Sequence, residues 1–186
     1  EIPVPCSNEP LVKMMFGQVP KRPPRPSKPE GEVLLQVRDV TVHTNRVSLE
    51  NVNLTVNAGE VFGLAGLEGS GQRILLQACA GLVPLDEGKI TLGGKDVSSL
   101  SYHQRQKSGV AYVAAGRLEE GLVAGLSVTE HVLLAQPQAG MMIDWSGARK
   151  ETSERIAEYQ VVGRPDSTAA ELSGGNQQRL LFSLLN

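Results

Sequence analysis

The sequence contains little that would support a membrane span, a disulfide framework or a nucleic-acid surface. Its two cysteines, Cys6 and Cys79, show neither paired spacing nor an accompanying histidine cluster, so a zinc site or a disulfide-rich domain is not indicated. With 18 basic and 20 acidic residues, the net charge of -2 argues against nucleic-acid binding. The apolar run over residues 180–185 falls far short of the roughly 20 residues of a membrane-spanning helix, so direct membrane insertion is not expected. The length and composition fit one globular domain, or one and a fraction, in a reducing cytosol.

The most informative segment lies near the end of the chain, where Glu171 opens the string ELSGGNQQR. Two adjacent glycines after a serine, followed by good helix formers, predict a helix whose first turn carries no side chains. A ligand can approach the free N–H groups of such a turn and the positive end of its dipole, so the string predicts an anion site. The alternative is structural, with Ser173 as an N-cap and the glycines as a tight loop into a core helix.

The complete string resembles the signature motif of ABC-type ATPases, in the asparagine form found in the second nucleotide-binding domain of importers for simple sugars and nucleosides. The resemblance implies that the motif contacts the γ-phosphate of an ATP held by a facing domain. That domain is either the first nucleotide-binding domain or a second ATPase subunit. The residues so implied are Leu172, Ser173, Gly174, Gly175, Asn176, Gln177 and Gln178.

The rest of the chain follows the order of elements that this family implies. Residues 1–31 are rich in proline, which predicts a semi-rigid linker after the tail of a preceding domain, or alternatively an SH3-type ligand. Residues 34–40 and 51–57 predict strands. Residues 61–65 and 110–113 are apolar throughout and predict strands buried on both faces. Residues 85–97 predict a hairpin with Gly93 and Gly94 at its turn.

A glycine-rich loop stands between residues 61–65 and a helical pattern, which is the context of a phosphate-binding loop. Its spacing is that of GxxxxGK followed by Ser or Thr, but Gln72 replaces the lysine that reaches the phosphates. Arg73 replaces the hydroxyl that holds Mg²⁺. The loop therefore predicts either a degenerate nucleotide site or a relic. Its candidate ATP contacts are Gly66, Leu67, Glu68, Gly69, Ser70, Gly71, Gln72 and Arg73.

Two helices are predicted between the loop and the signature. Ser127 and Glu130 form a capping box that begins the first helix, and residues 146–160 form the second, with Ile156 and Tyr159 on its inner face. These helices resemble the inserted helical subdomain that contacts the membrane subunit in ABC ATPases. A solvated charged face over a small core accounts for the same residues equally well.

The resemblance implies an α/β fold of the P-loop NTPase class and ABC-ATPase type. An antiparallel β-subdomain with the P-loop core would occupy residues 32–127, and a helical subdomain ending in the signature helix would occupy residues 128–186. In the family, the strand with the Mg²⁺-binding Asp and the catalytic Glu follows that helix, and this sequence ends before it. The loop over residues 114–117 also lacks the carboxylate or amide that positions water in the family. We therefore expect no catalytic or metal-binding residue here and no ATP hydrolysis by this chain alone.

The function implied is the ATP-binding component of an importer for simple sugars or nucleosides, with ATP and Mg²⁺ as cofactors. Such a component lies on the cytoplasmic inner face of the cell membrane and works with permease subunits. The alternative is a non-catalytic structural or regulatory domain that binds no nucleotide. A chromosome-associated ATPase of the SMC type also carries a Ser-Gly-Gly signature, but its long heptad coiled coil does not occur in this sequence.

Overall fold

The computed structural model describes residues 8–16, 31–136 and 142–185. The proline-rich part of the predicted linker, residues 17–30, lies outside the described residues. A π-helical turn over Arg117–Gly121 and a 3-10 turn over Ala169–Glu171 accompany the longer elements. In chain order these are α1 (Asn8–Phe16), β1 (Val33–His43), β2 (Ser48–Asn57), α2 (Gln72–Ala80), β3 (Glu87–Leu92), β4 (Lys95–Asp96), α3 (Tyr102–Lys107), α4 (Val128–Ala135), α5 (Trp145–Glu158) and α6 (Gly174–Ser183).

Four strands form an antiparallel sheet in the order β2-β1-β3-β4. Val37 of β1 lies opposite Leu54 of β2 and Ile90 of β3, so apolar residues of all three strands share one face. Gly93 and Gly94 connect β3 to β4 with φ angles of 52° and 77°, which is the two-residue turn that needs positive φ at both positions. The strands predicted over residues 34–40 and 51–57 and the predicted hairpin are confirmed, and the fold is α/β with an antiparallel sheet.

Helix α2 packs on the apolar face of the sheet and forms the first of two cores. Leu75 and Ala78 of the helix are 6% and 0% exposed and lie against buried sheet residues. The glycine loop immediately precedes this helix, so the first core fixes the position of the loop. The buried members of the core are Val37, Val40, Val42, Leu75, Ala78, Ile90 and Val97.

The second core holds the signature helix in place. Leu180 and Leu181 of α6 pack with Val128 at the start of α4. The predicted inner-face residues, Ile156 of α5 and Tyr159 directly after it, lie partly buried against them. The predicted capping box is confirmed, since the Ser127 N–H donates to Glu130 Oε2 at 2.6 Å and the Glu130 N–H donates to Ser127 Oγ at 3.2 Å. Within the described ranges, no helix is both long enough and apolar enough to cross a bilayer.

Two strand predictions are wrong. Residues 61–65 and 110–113 form no strand, and Val61 and Phe62 are 95% and 46% exposed. A strand needs a neighbouring backbone for its hydrogen bonds, and among the described residues none pairs with either segment. The apolar pattern identified residues suited to burial, but burial also requires partner strands that this pattern cannot supply. A cleft of about 700 Å³ lies beside the second segment, lined also by Leu134, Leu181 and Leu184.

Candidate functional site

Gly71 joins the glycine loop to α2, and its backbone conformation favours glycine. Gly71 is the N-cap of α2 with a φ of 106°, and a Cβ atom there would lie 2.3 Å from Cδ2 of Leu49 on β2. The left-handed backbone strains any other residue here, and a side chain would also displace the end of Leu49. The rest of the loop, residues 66–70 with the carboxylate of Glu68, is exposed.

Side chains within the glycine loop close it on itself. Ser70 Oγ donates to the Leu67 carbonyl oxygen at 2.7 Å, and Gln72 Nε2 donates to the same oxygen at 3.3 Å. A Cβ atom on Gly66 would lie 2.2 Å from Gln72 Nε2, so the Gln72 amide fills the space beside this glycine. The residue that replaces the phosphate-binding lysine therefore directs its donor to a carbonyl of its own loop.

Arg73 takes part in an ion pair outside the loop. Its guanidinium pairs with the carboxylate of Glu120 in the π-helical turn. A guanidinium has donors only and cannot coordinate a metal ion. In the part of the chain that the structure describes, no cluster of three or more His, Cys, Asp or Glu side chains could hold a metal ion. At the position of the family hydroxyl, Arg73 thus offers no oxygen ligand to Mg²⁺, which prefers carboxylate, hydroxyl and water oxygens.

The predicted signature helix is present as α6, with Ser173 as its N-cap in an extended conformation. The Gln177 N–H donates to the Ser173 carbonyl oxygen at 2.9 Å. The N–H groups of residues 174–176 precede this first bond of the helix and are the groups that a helix leaves for a ligand or solvent. Ser173, Gly175 and Gln178 are exposed, and Gly174 is partly exposed.

Three signature residues lie beneath the exposed surface. Leu172, Asn176 and Gln177 are 6%, 8% and 7% exposed, and Leu172 belongs to the second core. Gln177 Nε2 donates to the carbonyl oxygens of Ala169 and Leu172 at 3.0 and 3.1 Å. Asn176 Nδ2 donates to Ser173 Oγ at 2.9 Å. These side chains support the first turn of α6 from within the molecule, which the motif alone did not indicate.

The two glycines of the signature differ in their surroundings. A Cβ atom on Gly174 would lie 3.4 Å from Cζ of Arg117, so this guanidinium rests against the first turn of α6. Outside the backbone of α6 itself, a Cβ atom on Gly175 would meet no atom of the described residues within 4 Å, and the φ of Gly175 is not positive. Alanine would favour the helix at this position, and no contact among the described residues excludes it.

The π-helical turn contacts both motifs. Glu120 pairs with Arg73 at the glycine loop, and Arg117 lies against Gly174 of the signature. Arg73 and Glu120 are 47 residues apart in the sequence, so no local pattern indicated their pairing. The turn thus connects the helix after the glycine loop with the start of the signature helix.

Comparison with known proteins identifies the family. The family model for the ABC transporter matches residues 49–185. The chain is 30% identical over 187 residues to the ribose import ATP-binding protein RbsA of Corynebacterium glutamicum, covering 98% of this chain and 35% of that protein. It is 33% identical over 182 residues to the guanosine import ATP-binding protein NupO of Bacillus subtilis, covering 92% of this chain and 36% of that protein.

The fold comparison agrees with the sequence comparison. A nucleotide-free ATP-binding cassette from an ABC transporter superimposes with a TM-score of 0.67 at 18% identity, covering 82% of this chain and 64% of that chain. The chain spans about a third of the length of the curated relatives described above. Because the family model covers most of its residues and the cassette fold is shared, the chain belongs to the ABC transporter family.

Proposed function

We propose that this chain is the ATP-binding component of an importer for simple sugars or nucleosides, and that its signature completes an ATP site on a facing nucleotide-binding domain. The relatives named for ribose import and guanosine import support this transport class. The observation that carries the proposal is Gly175, which is exposed and, among the described residues, has no contact or positive φ that requires glycine. The facing domain is the first nucleotide-binding domain or a second ATPase subunit, and permease subunits place the assembly on the cytoplasmic inner face of the membrane.

Ser173, Gly174 and Gly175 hold the γ-phosphate in this proposal. ATP on the facing domain supplies the phosphoryl group that is transferred to water. The Ser173 hydroxyl and the N–H groups at the start of α6 donate to the phosphate oxygens, and the positive end of the helix dipole favours their charge. Fixed donors of this kind stabilise charge that develops on those oxygens. The Arg117 guanidinium beside Gly174 adds a positive charge at the edge of the same surface.

The glycine loop of this chain makes the weaker of the two nucleotide sites. Gln72 is uncharged and its amide already donates to the Leu67 carbonyl, so a phosphate group must displace that hydrogen bond. Arg73 stands where the family has a hydroxyl and offers no oxygen ligand to Mg²⁺. We therefore expect weak nucleotide binding or none at this loop, and no hydrolysis by this chain alone.

The replacement Ser173→Trp in the intact ATPase assembly tests the proposal. The indole would cover the exposed start of α6, so ATP turnover should be lost while the facing domain still binds ATP. Ser153→Trp is the matched control, because Ser153 is exposed on α5 and its hydroxyl donates to the Arg149 carbonyl oxygen of the same helix. Its replacement should leave turnover intact. Normal turnover by Ser173→Trp would overturn the assignment of the signature.

A structural domain that binds no nucleotide is the second candidate, and the closed glycine loop favours it. Calorimetric titration with ATP distinguishes the two when the glycine loop of the facing domain has been disabled. Saturable binding means that the loop of this chain opens and accepts nucleotide. A flat titration, together with normal turnover by Ser173→Trp, means that the chain only supports its partner.

A further inference from the structure

The carboxamide of Asn176 lies directly beneath the exposed hydroxyl of Ser173. It is buried in the first turn of α6, and its Nδ2 atom donates to Ser173 Oγ at 2.9 Å. Its Oδ1 atom accepts from the Val162 N–H at 2.9 Å and from Arg179 Nη1 at 3.2 Å. The amide is therefore hydrogen-bonded on both sides, with its donor toward Ser173 and its acceptor toward Val162 and Arg179.

This environment fixes the orientation of the Asn176 amide. The Val162 N–H and the Arg179 guanidinium can only donate, so the atom that faces them must be an oxygen. The inverted amide would place NH₂ against two donors. The Val162 N–H would lose its acceptor, and Arg179 Nη1 would keep only the Gln160 carbonyl oxygen at 3.2 Å. The NH₂ group consequently faces Ser173.

The orientation of Asn176 determines what Ser173 can offer to a ligand. A hydroxyl has one hydrogen to donate and two lone pairs to accept with, and the Asn176 NH₂ occupies the acceptor side of Ser173 Oγ. Ser173 does not cap α6 through its side chain. Within the described part of the chain, no group accepts a hydrogen bond from this hydroxyl. Its hydrogen is therefore available to an acceptor outside the molecule.

We propose that Asn176 is a positioning residue that sets the Ser173 hydroxyl as a hydrogen-bond donor toward the γ-phosphate. Asn176 does not touch the phosphate through its side chain and acts through Ser173. The inference rests on the function proposed above, and it assigns a separate role to the asparagine that follows the two glycines. An aspartate at this position would keep the bonds from Val162 and Arg179 but would accept from Ser173, which turns the hydroxyl hydrogen inward and away from the phosphate.

Asn176→Asp tests the proposal because the two side chains have the same shape. ATP turnover of the intact assembly is measured for the parent protein, Asn176→Asp, Ser173→Ala and the double variant. We expect kcat/KM to fall by about tenfold or more when Asn176→Asp is made with Ser173 present. With alanine at 173, the same change should cost less than about threefold, because the hydroxyl through which Asn176 acts is gone. The alanine background also measures any direct repulsion between the new carboxylate and the phosphate.

Equal losses on both backgrounds would overturn the proposal, since they would show that charge alone explains the effect. Parental activity in Asn176→Asp would overturn it as well. A fall in the urea midpoint of Asn176→Asp, with activity lost in proportion, would show a structural role instead. Failure of the proposed function is distinguishable, because in that case Ser173→Ala and Ser173→Trp would themselves retain turnover.

Discussion

The guanidinium of Arg105 donates from Nη1 to the carbonyl oxygen of Ala78 at 2.7 Å, at the C-terminal end of α2. Arg105 is 1% exposed, and its remaining donors reach the carbonyl oxygens of Cys79, Ser98 and Leu100 at 2.8 to 3.0 Å. A cation at this end of a helix is favoured by the helix dipole. The buried charge therefore connects α2, which follows the glycine loop, to α3 and to the chain after β4.

Replacement of Arg105 by methionine should destabilise the protein. The variant removes a buried cation and leaves several carbonyl oxygens without donors, and such losses cost about 3 kcal/mol or more in the free energy of unfolding. Urea denaturation followed by circular dichroism measures the change. Arg46→Met is the control, because Arg46 is exposed in the turn between β1 and β2 and its replacement should change stability little. Equal midpoints for the two variants would contradict the structural role of Arg105.

The Cys79 thiol should react slowly with alkylating reagents. Burial raises the pKa of this thiol to about 11, although the neighbouring charge of Arg105 opposes the shift. Only the thiolate is nucleophilic, so at about pH 8 the folded protein should be labelled at Cys79 on the order of 100-fold more slowly than the urea-unfolded protein. Peptide mass spectrometry resolves the labelling by site. Equal rates before and after unfolding would mean that Cys79 is accessible and ionised in the folded state.

Asp96 should contribute a pH-dependent part of the stability of the hairpin. Hydrogen bonds from the Ser98 side chain and N–H and the charge of Lys89 lower the pKa of the Asp96 carboxyl to about 2. The pKa of Asp96 in the folded protein lies below its usual value of about 4 in the unfolded chain. The stability that the carboxylate contributes is therefore complete above about pH 4 and is lost as the pH falls toward 2.

Comparison with Asp96→Asn isolates this contribution, since the other groups titrate alike in both proteins. The urea midpoint of Asp96→Asn should lie below that of the parent at neutral pH. The gap should shrink to roughly half at about pH 3 and close near pH 2. A gap that stays constant over this range would show that the carboxylate does not titrate with a lowered pKa.

The sequence predicted local elements correctly where particular residue types mark the start of a helix or a turn. Ser127 and Glu130 identified the start of α4 because each side chain satisfies a backbone donor of the other. Gly93 and Gly94 identified the hairpin turn because few other residues adopt positive φ. Residues 61–65 and 110–113 were predicted wrongly, because an apolar run records a preference for burial while a strand depends on distant partners.

The candidate site was predicted only in part for a related reason. The glycines and Ser173 of the signature could be recognised as a bare helix start, which is a local property. The inward orientation of Asn176 and Gln177 depends on acceptors and donors at residues 160–172, and the pairing of Arg73 with Glu120 depends on a turn far along the chain. Contacts of this kind follow from tertiary packing, so the motif could not separate ligand contacts from their support.

Gly175→Ala should have opposite effects on stability and on activity. The added methyl group meets no atom within 4 Å and the backbone is helical, so the variant should be more stable by about 0.5 kcal/mol. The same methyl group would stand on the surface that we assign to the γ-phosphate, so turnover of the intact assembly should fall. Gly147→Ala is a useful contrast, because a Cβ atom there would lie 2.4 Å from Asp144 Oδ2 and should destabilise α5. A Gly175→Ala protein with full turnover would contradict the phosphate assignment.

Restoring the family residues of the glycine loop should strengthen nucleotide binding there. In the double variant Gln72→Lys with Arg73→Ser, the lysine adds a cation worth on the order of 4 kcal/mol of Coulomb attraction at a few ångströms in an intermediate dielectric. The serine adds a hydroxyl that can ligate Mg²⁺. Desolvation offsets part of this gain, so we expect binding tighter by about tenfold or more. The measurement is titration with a fluorescent ATP analogue when the glycine loop of the facing domain is disabled.

Glu120→Gln separates two explanations for the weak nucleotide binding that we propose at the glycine loop. If pairing with Glu120 withholds the Arg73 charge from a phosphate, freeing the guanidinium should strengthen binding without any lysine. Arg73 is one helix position beyond Gln72, so its side chain points about 100° away from that of Gln72 around the helix axis. If this direction is what keeps the guanidinium from the phosphate, Glu120→Gln should leave the nucleotide affinity of the glycine loop unchanged. We expect the second result. A restored double variant that binds no better than the parent would mean that the missing cation is not limiting, and that the closure of residues 66–72 excludes the nucleotide.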